Sequence, residues 1–196
     1  GGEFRKWYGN NLFVVNWEND GASIRNFKSE KGTLRSRPQN MECYFKESIT
    51  WSKISSGSIA FRYKPCGHIF DVAGTSLFAE TETLYYLLGL CNSKVTAAVA
   101  GVIAPTMNYE VGHIASLPVI IDDARKQEIT ALVKKNIALA KADWDSFEIS
   151  WDFVRHPLAA VPCADKGLIS EKFAIWADLC EKRFSELKNN EEELNR

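Results

Sequence analysis

The chain has 196 residues, of which 45% are apolar and 25% charged, with a formal net charge of −1. That is enough to bury a core as one large or two small domains, and it excludes a disordered or fibrous polypeptide. No run of 18 apolar residues occurs; the longest candidate, residues 95 to 104, is about half a bilayer long and ends at Pro105, which argues against a membrane span.

The near-neutral total hides an asymmetry. Residues 1 to 66 hold 11 Lys/Arg against 6 Asp/Glu, and the remainder holds 13 against 19. The front portion is therefore expected to face a polyanion, the alternative being an ordinary solvated basic surface. Cys43, Cys66, Cys91, Cys163 and Cys180 are odd in number, scattered and without metal-type spacing. A reducing compartment, the cytoplasm, fits them better than a disulfide framework. The first residues, GGEFRKWYGN, carry neither an initiator Met nor a signal peptide, and the last, NNEEELNR, stop inside a helical pattern. The chain is accordingly expected to be a piece of a longer one.

In chain order, LFVVNW (12–17) predicts a strand ending at the turn signal Asp20-Gly21. ITWSKISSGSIAFRYKP (49–65) predicts a hairpin around Ser-Ser-Gly-Ser. Its second arm alternates Ile59, Phe61 and Tyr63 with Ala60, Arg62 and Lys64, giving one apolar and one cationic face. HIFDV (68–72) predicts a third strand, so the three would form a meander. From Thr81 the period changes: Leu84, Leu88, Cys91, Val95, Ala98 and Val102 mark one face of a core helix, interrupted at Asn92-Ser93. Pro118 closes an extended segment. Beyond it, Val133, Ile137, Ala140, Trp144, Phe147 and Trp151 form one seam at steps of four and three, and Phe173, Ala177, Cys180, Phe184, Leu187 and Leu194 a second. Two long helices divided by RHPLAAVPCADKG should pack as an antiparallel pair, because two prolines and Gly167 let the chain turn back. The fold class predicted is mixed α/β (α+β), strand-rich first and helical last.

Catalytic signals are missing. There is no Gly-rich cofactor turn, and no proline follows an Asn or Asp, so an Asn-Pro-Pro-Tyr motif for amino-group methylation is absent. Cys66 and His68 are too close for a usual zinc pair, His113 and His156 are isolated, and no metal site is expected. Glu186-Leu187-Lys188 after Asp178 reads as an exposed helix face rather than a nuclease motif. What remains is basic and aromatic interleaving: Arg5, Lys6, Trp7, Tyr8, then Lys28, Lys31, Arg35, Arg37, then Trp51, Lys53, Arg62, Lys64. Lys and Arg neutralise phosphates, and Arg, Lys, Asn and Gln reach base edges, so the mixture suits duplex DNA. Trp7 and Trp51 serve equally well as core residues.

The blocks GGEFRKWYGNN, VVNWENDG, SRPQN, ITWSKISSG, FRYKPCGHIFDVAG and PTMNYEVGHIASLP, in that order, resemble the large adenine-specific DNA methyltransferases (PglX-like) of bacterial BREX phage-defence systems, also described as type II restriction enzyme methylase subunits. LYYLLGLCNSKV followed by NYEVGHIASLPVI is similar to the end of a target-recognition domain in type I restriction specificity subunits. The resemblance implies that the catalytic domain, with its S-adenosylmethionine loop, lies upstream. This chain then corresponds to a target-recognition domain (1–118) and a helical spacer (119–196) truncated at its C-terminal end, itself non-catalytic and without a cofactor. It implies duplex DNA, the catalytic domain of the same parent chain and other defence subunits as partners. The residues expected at DNA are Arg5, Lys6, Lys28, Lys31, Arg35, Arg37 and Lys64 on phosphates, with Lys53, Ser55, Ser56 and Arg62 near the hairpin on bases or phosphates. Asn108 and Tyr109 are expected to form a structural hinge into the spacer, the alternative being a DNA-proximal loop. The rival expectation is a protein-interaction module that docks defence subunits through seam residues such as Trp144 and Trp151.

Overall fold

Three short strands and seven helices organise the chain in a computed structural model, counted over its described residues, 2–55, 57–161 and 168–196. The fold is mixed α/β. The expected hairpin forms from β1 (Ser48–Trp51) and β2 (Phe61–Lys64), antiparallel, with Ile49 opposite Tyr63 and Trp51 opposite Phe61. Strand alternation puts these four on one face, where Ile49, Trp51 and Phe61 join Leu84 and Leu88 in the core.

Two predicted strands are absent. HIFDV stays irregular because the chain turns within it: Phe45 N donates to His68 O (2.8 Å), and the Asp71 carboxylate accepts from the N–H groups of Ala73 and Gly74 (3.0 and 2.9 Å). The third strand is β3 (Ser76–Leu77), which pairs with β1; the order β2-β1-β3 is therefore no meander. LFVVNW finds no sheet edge to join. The outer edge of β2 is already taken by Trp7, whose N–H donates to Phe61 O and whose carbonyl accepts from Tyr63 N (2.9 and 2.8 Å), and by the Asn92 amide, which bonds both the N–H and the carbonyl of Phe61 (3.0 Å each). The Asp20-Gly21 turn signal does hold. Asn19, Asp20 and Gly21 have φ of 51°, 57° and 69° within α1 (Glu18–Arg25), and a Cβ on Gly21 would sit 2.9 Å from the Trp17 ring.

α2 (Thr81–Cys91) and α3 (Lys94–Ile103) break at Asn92-Ser93, as expected, with a bend of 71°. Ser93 leaves helical geometry and accepts from Thr96 N (3.1 Å), capping α3. Leu84, Leu88 and Cys91 are buried. Beyond the bend the buried face shifts to Thr96 and Ala100, leaving Val95 and Val102 exposed. A short α4 (Val111–Ala115) precedes the extended segment at Pro118. No single helix among the described residues is long and apolar enough to cross a membrane.

α5 (Lys126–Trp144) packs on α2, where Gly89 permits close approach: a Cβ there would lie 3.0 Å from Val133 Cγ2. Val133, Ala140 and Trp144 are buried as the seam predicts. The seam then stops. Lys141 bridges Asp145 and Asp152, and Ser150 Oγ donates to Asp145 (2.7 Å), folding the chain into a loop that leaves Phe147 and Trp151 exposed. α6 (Pro157–Ala160) opens on Pro157; the expected helix-breaking roles of Pro162 and Gly167 fall outside the described residues. α7 (Ile169–Glu193) returns antiparallel along α5. Leu187 shares a groove with Leu139 and Ala140, Asn190 Nδ2 donates to Asn136 Oδ1 (2.9 Å), and Leu194 approaches Gly89 opposite Ile129 and Val133. One hydrophobic cluster thus joins Trp7, the hairpin, α2 and α5.

Cys91 lies inside this cluster, and burial pushes its thiol up to about 12 from an ordinary 9. The folded state keeps the thiol protonated while the unfolded chain ionises, so this contribution is fully present below pH 9 and is lost between pH 9 and about 12. By pH 10 the loss is on the order of 1 kcal/mol. Urea titrations at pH 8 and 10 should show that fall in the parent chain and a correspondingly smaller one in Cys91→Ala, after subtraction of the common slope.

Candidate nucleic-acid interface

The cationic face of the hairpin is not an open surface. Residues 2 to 5 lie across it: Ser52 Oγ donates to Gly2 O (3.2 Å), and Arg62 donates to Arg5 O through Nη1 and to Ser52 Oγ through Nη2 (3.2 Å each). Arg62 is only 2% exposed. Burial, and then the neighbouring Arg5 charge, push its guanidinium down to about 10 from 12.5. Alternation identified the right face for Arg62 but not its cover, because the covering segment lies more than fifty residues upstream. Lys64 is half-buried, donates to Asn11 Oδ1 (3.1 Å), and is lowered by burial and by Arg62 while Asp71 acts the other way.

Other expected contacts are tied into the fold. Arg5 bridges Asp143 (2.5 Å), donates to Tyr8 O (2.9 Å) and stacks over the Trp144 ring at 5.1 Å. Lys6 pairs with Glu191 (3.0 Å). Lys53 pairs with Glu110 (2.9 Å). The segment 107–109 is stitched to the hairpin end by three bonds: Tyr109 N to Lys53 O (2.6 Å), Ser55 N to Met107 O (2.9 Å) and Trp51 Nε1 to Tyr109 O (3.0 Å). These bonds fix Asn108 and Tyr109 against the end of the hairpin. Ser55 Oγ donates within the loop to Ser58 O (3.4 Å), and Ser56 falls outside the described residues. Trp144, one of the seam residues expected to be open for docking, is buried; Trp151 is exposed.

Four cations form a different group. Residues 27 to 35 fold into a small loop closed by Arg35 N to Phe27 O and Ser29 N to Thr33 O (2.8 Å each), with a bridge between Lys28 and Leu34. The turn at Gly32 has φ +77°. Lys28, Lys31, Arg35 and, just beyond, Arg37 are all exposed on this loop, and none takes part in an ion pair among the described residues. Among the described residues no carboxylate pairs with them, so together with the exposed Lys46 they are available positive charge of the front portion. No group of three or more His, Cys, Asp or Glu with metal-holding geometry occurs among the described residues. His68 sits instead with Nδ1 3.0 Å from Pro65 O.

One feature escaped the sequence analysis. A groove of about 610 Å³ runs between the polar side of the hairpin, residues 10 to 17 and the loop after α5. Its floor includes Thr50, Arg62 and Lys64, and its walls include Phe13, Phe70 and Trp151. The sequence signal for it is the run Phe13-Val14-Val15, which lacks the alternation of a half-buried strand and carries more apolar surface than a loop needs.

No protein-family model matches the chain. The chain is 38% identical over 200 residues to "Adenine-specific methyltransferase PglX" of Lacticaseibacillus casei (strain Zhang), and 35% identical over 198 residues to "Adenine-specific methyltransferase BrxX" of Escherichia coli O9:H4 (strain HS). Both matches cover all of this chain but only 16% and 15% of the relatives, so the chain spans about a sixth of the length of the curated relatives it matches. Along its whole length, the chain is therefore similar to one segment of these two adenine-specific methyltransferases.

Proposed function

We propose that the chain is the DNA target-recognition part of an adenine-N6 DNA methyltransferase of phage defence or restriction-modification, working in the bacterial cytoplasm. Residues 1–118 grip and select duplex DNA, and residues 119–196 act as the spacer. An enzyme that modifies adenine N6 extrudes the base from the stack at a cost of a few kcal/mol, so a separate surface must hold the duplex and choose the site. S-adenosylmethionine and the catalytic motif then belong to the remainder of the parent protein, which is also the chain's nearest partner.

The observation that carries this reading is the loop at 27–37, with Lys28, Lys31, Arg35 and Arg37 exposed and in no ion pair among the described residues. Arg5, Lys6 and Lys53 serve DNA only by exchanging their present ion pairs. Fluorescence anisotropy of a duplex pool across a salt series tests the proposal. Replacing Arg35 and Arg37 together by Ala should lower the log–log salt slope by about 1.8, or about 0.9 for each phosphate contact removed. No binding at low salt, or an unchanged slope, would overturn it.

One observation favours the protein-docking alternative. α7 has no buried residue, and Phe173 and Phe184 are 55% and 63% exposed on it. A partner subunit that covers α7 would bind Phe173→Ser/Phe184→Ser more weakly and leave DNA affinity unchanged.

A further inference from the structure

We infer that the groove beside the hairpin is a nucleotide site: it takes one unpaired nucleotide, with the phosphate toward Arg62 and Lys64 and the base against Phe13 and Trp151. The inference rests on the DNA-binding reading and adds a second subsite to it, distinct from the cationic loop at 27–37.

Charge comes first. Arg62 lines the groove, is almost wholly buried, and has no carboxylate within ion-pairing distance among the described residues. Its hydrogen bonds go to a carbonyl and a hydroxyl, and its Nε has no partner. A buried cation without a counter-ion is costly, and such groups are ordinarily paired. Lys64 adds a second charge, hydrogen-bonded to the neutral Asn11 amide and attracted by Asp71 without an ion pair among the described residues. The remaining charged groups of the groove are engaged elsewhere: Lys141 with Asp145 and Asp152, and Asp71 with the N–H groups of Ala73 and Gly74. The groove thus holds two cations, Arg62 and Lys64, that are in no ion pair among the described residues.

The walls specify what carries that charge. Phe13 is 91% exposed and Trp151 67% exposed. The Trp151 indole is oriented by a bond from Nε1 to Leu12 O (3.3 Å), on the backbone next to Phe13. Aromatic faces beside a cationic floor are the combination that holds single-stranded nucleic acid, where stacking tolerates any base and the cations take the backbone. A volume of about 610 Å³ admits one nucleotide and is too narrow for a duplex.

The test uses the chain as it stands and compares a fully paired duplex with the same duplex carrying one unpaired adenosine, alongside deoxyadenosine 5′-monophosphate and deoxyadenosine as free probes. The bulged duplex should bind about tenfold more tightly than the paired one. The preference should vanish in Lys64→Gln and in Phe13→Ala/Trp151→Ala, and the paired-duplex affinity of the aromatic double variant should stay within about twofold. Arg35→Ala/Arg37→Ala should weaken both duplexes alike. Saturable movement of the Trp151 indole N–H resonance by the monophosphate but not the nucleoside, without any bulge preference, would keep the nucleotide site and identify its source as a free nucleotide. No bulge preference together with no response to the monophosphate would overturn the inference, even with paired-duplex binding intact. Loss of paired-duplex binding alone would instead count against the DNA reading.

Discussion

Replacing Trp7 by Ala should lower the unfolding free energy by about 3–5 kcal/mol, the range for removing a buried aromatic ring. Trp7 is 1% exposed and belongs to the main core cluster. It also holds three parts of the chain together. Its backbone joins β2 through Phe61 and Tyr63, its ring fills the core, and its indole Nε1 donates to Glu191 Oε1 on α7 (2.7 Å). Glu191 accepts from Lys6 through its other oxygen (3.0 Å), so one carboxylate fastens two successive residues of the N-terminal segment to the last helix. Trp7→Phe keeps most of the buried area but leaves Glu191 with Lys6 alone, and should cost about 1–3 kcal/mol. Urea unfolding followed by circular dichroism measures both. A change under about 1 kcal/mol for Trp7→Ala would show that the segment is merely laid over the sheet.

The interface of α5 with α7 should respond differently to single and double replacement. Asn136 is completely buried, accepts from Asn190 Nδ2, and leaves its own Nδ2 without a partner. Asn190→Leu removes the one bond and strands Asn136, which should cost about 1–3 kcal/mol. Asn136→Leu/Asn190→Leu removes the polar pair together with the stranded donor, and should be neutral to stabilising relative to the parent, as replacement of both hydrogen-bonding partners by apolar groups is. The parent arrangement persists for register: a polar pair at one level of an apolar seam penalises every sliding of α7 along α5. The double variant should accordingly melt no lower than the parent yet give broader amide resonances along α7. A double variant less stable than the single one would refute this account.

The parts of the fold that were legible in the sequence are those with a short-range period. The hairpin from 48 to 64, the broken helix from Thr81 and the two long helices all follow from steps of two or of three and four. The misread strands have different causes that local pattern does not encode: a turn within HIFDV and competition for a sheet edge at LFVVNW. LFVVNW has strand-forming residues, but Trp7 and Asn92 already occupy the edge it needed, and Trp7 reaches it only by adopting φ 68°, a conformation nothing in its neighbours announces. Arg62 illustrates the same limit at the candidate site. Alternation assigns its face, whereas its burial depends on residues 2 to 5 crossing that face. Lys28, Lys31, Arg35 and Arg37 were recognisable as cations from composition; that they stand unpaired, unlike Arg5, Lys6 and Lys53, is a tertiary fact.

The occupation of the β2 edge has a consequence for how the chain meets its partners. An open strand recruits other strands, through backbone pairing that serves peptide capture and aggregation alike. Here the outward N–H and carbonyl of Phe61 and the outward N–H of Tyr63 are satisfied from within, and the opposite side of the sheet ends in a strand of two residues. Backbone donors and acceptors are therefore withdrawn from trade with other molecules along this edge. Contacts with other molecules along this edge are left to side chains.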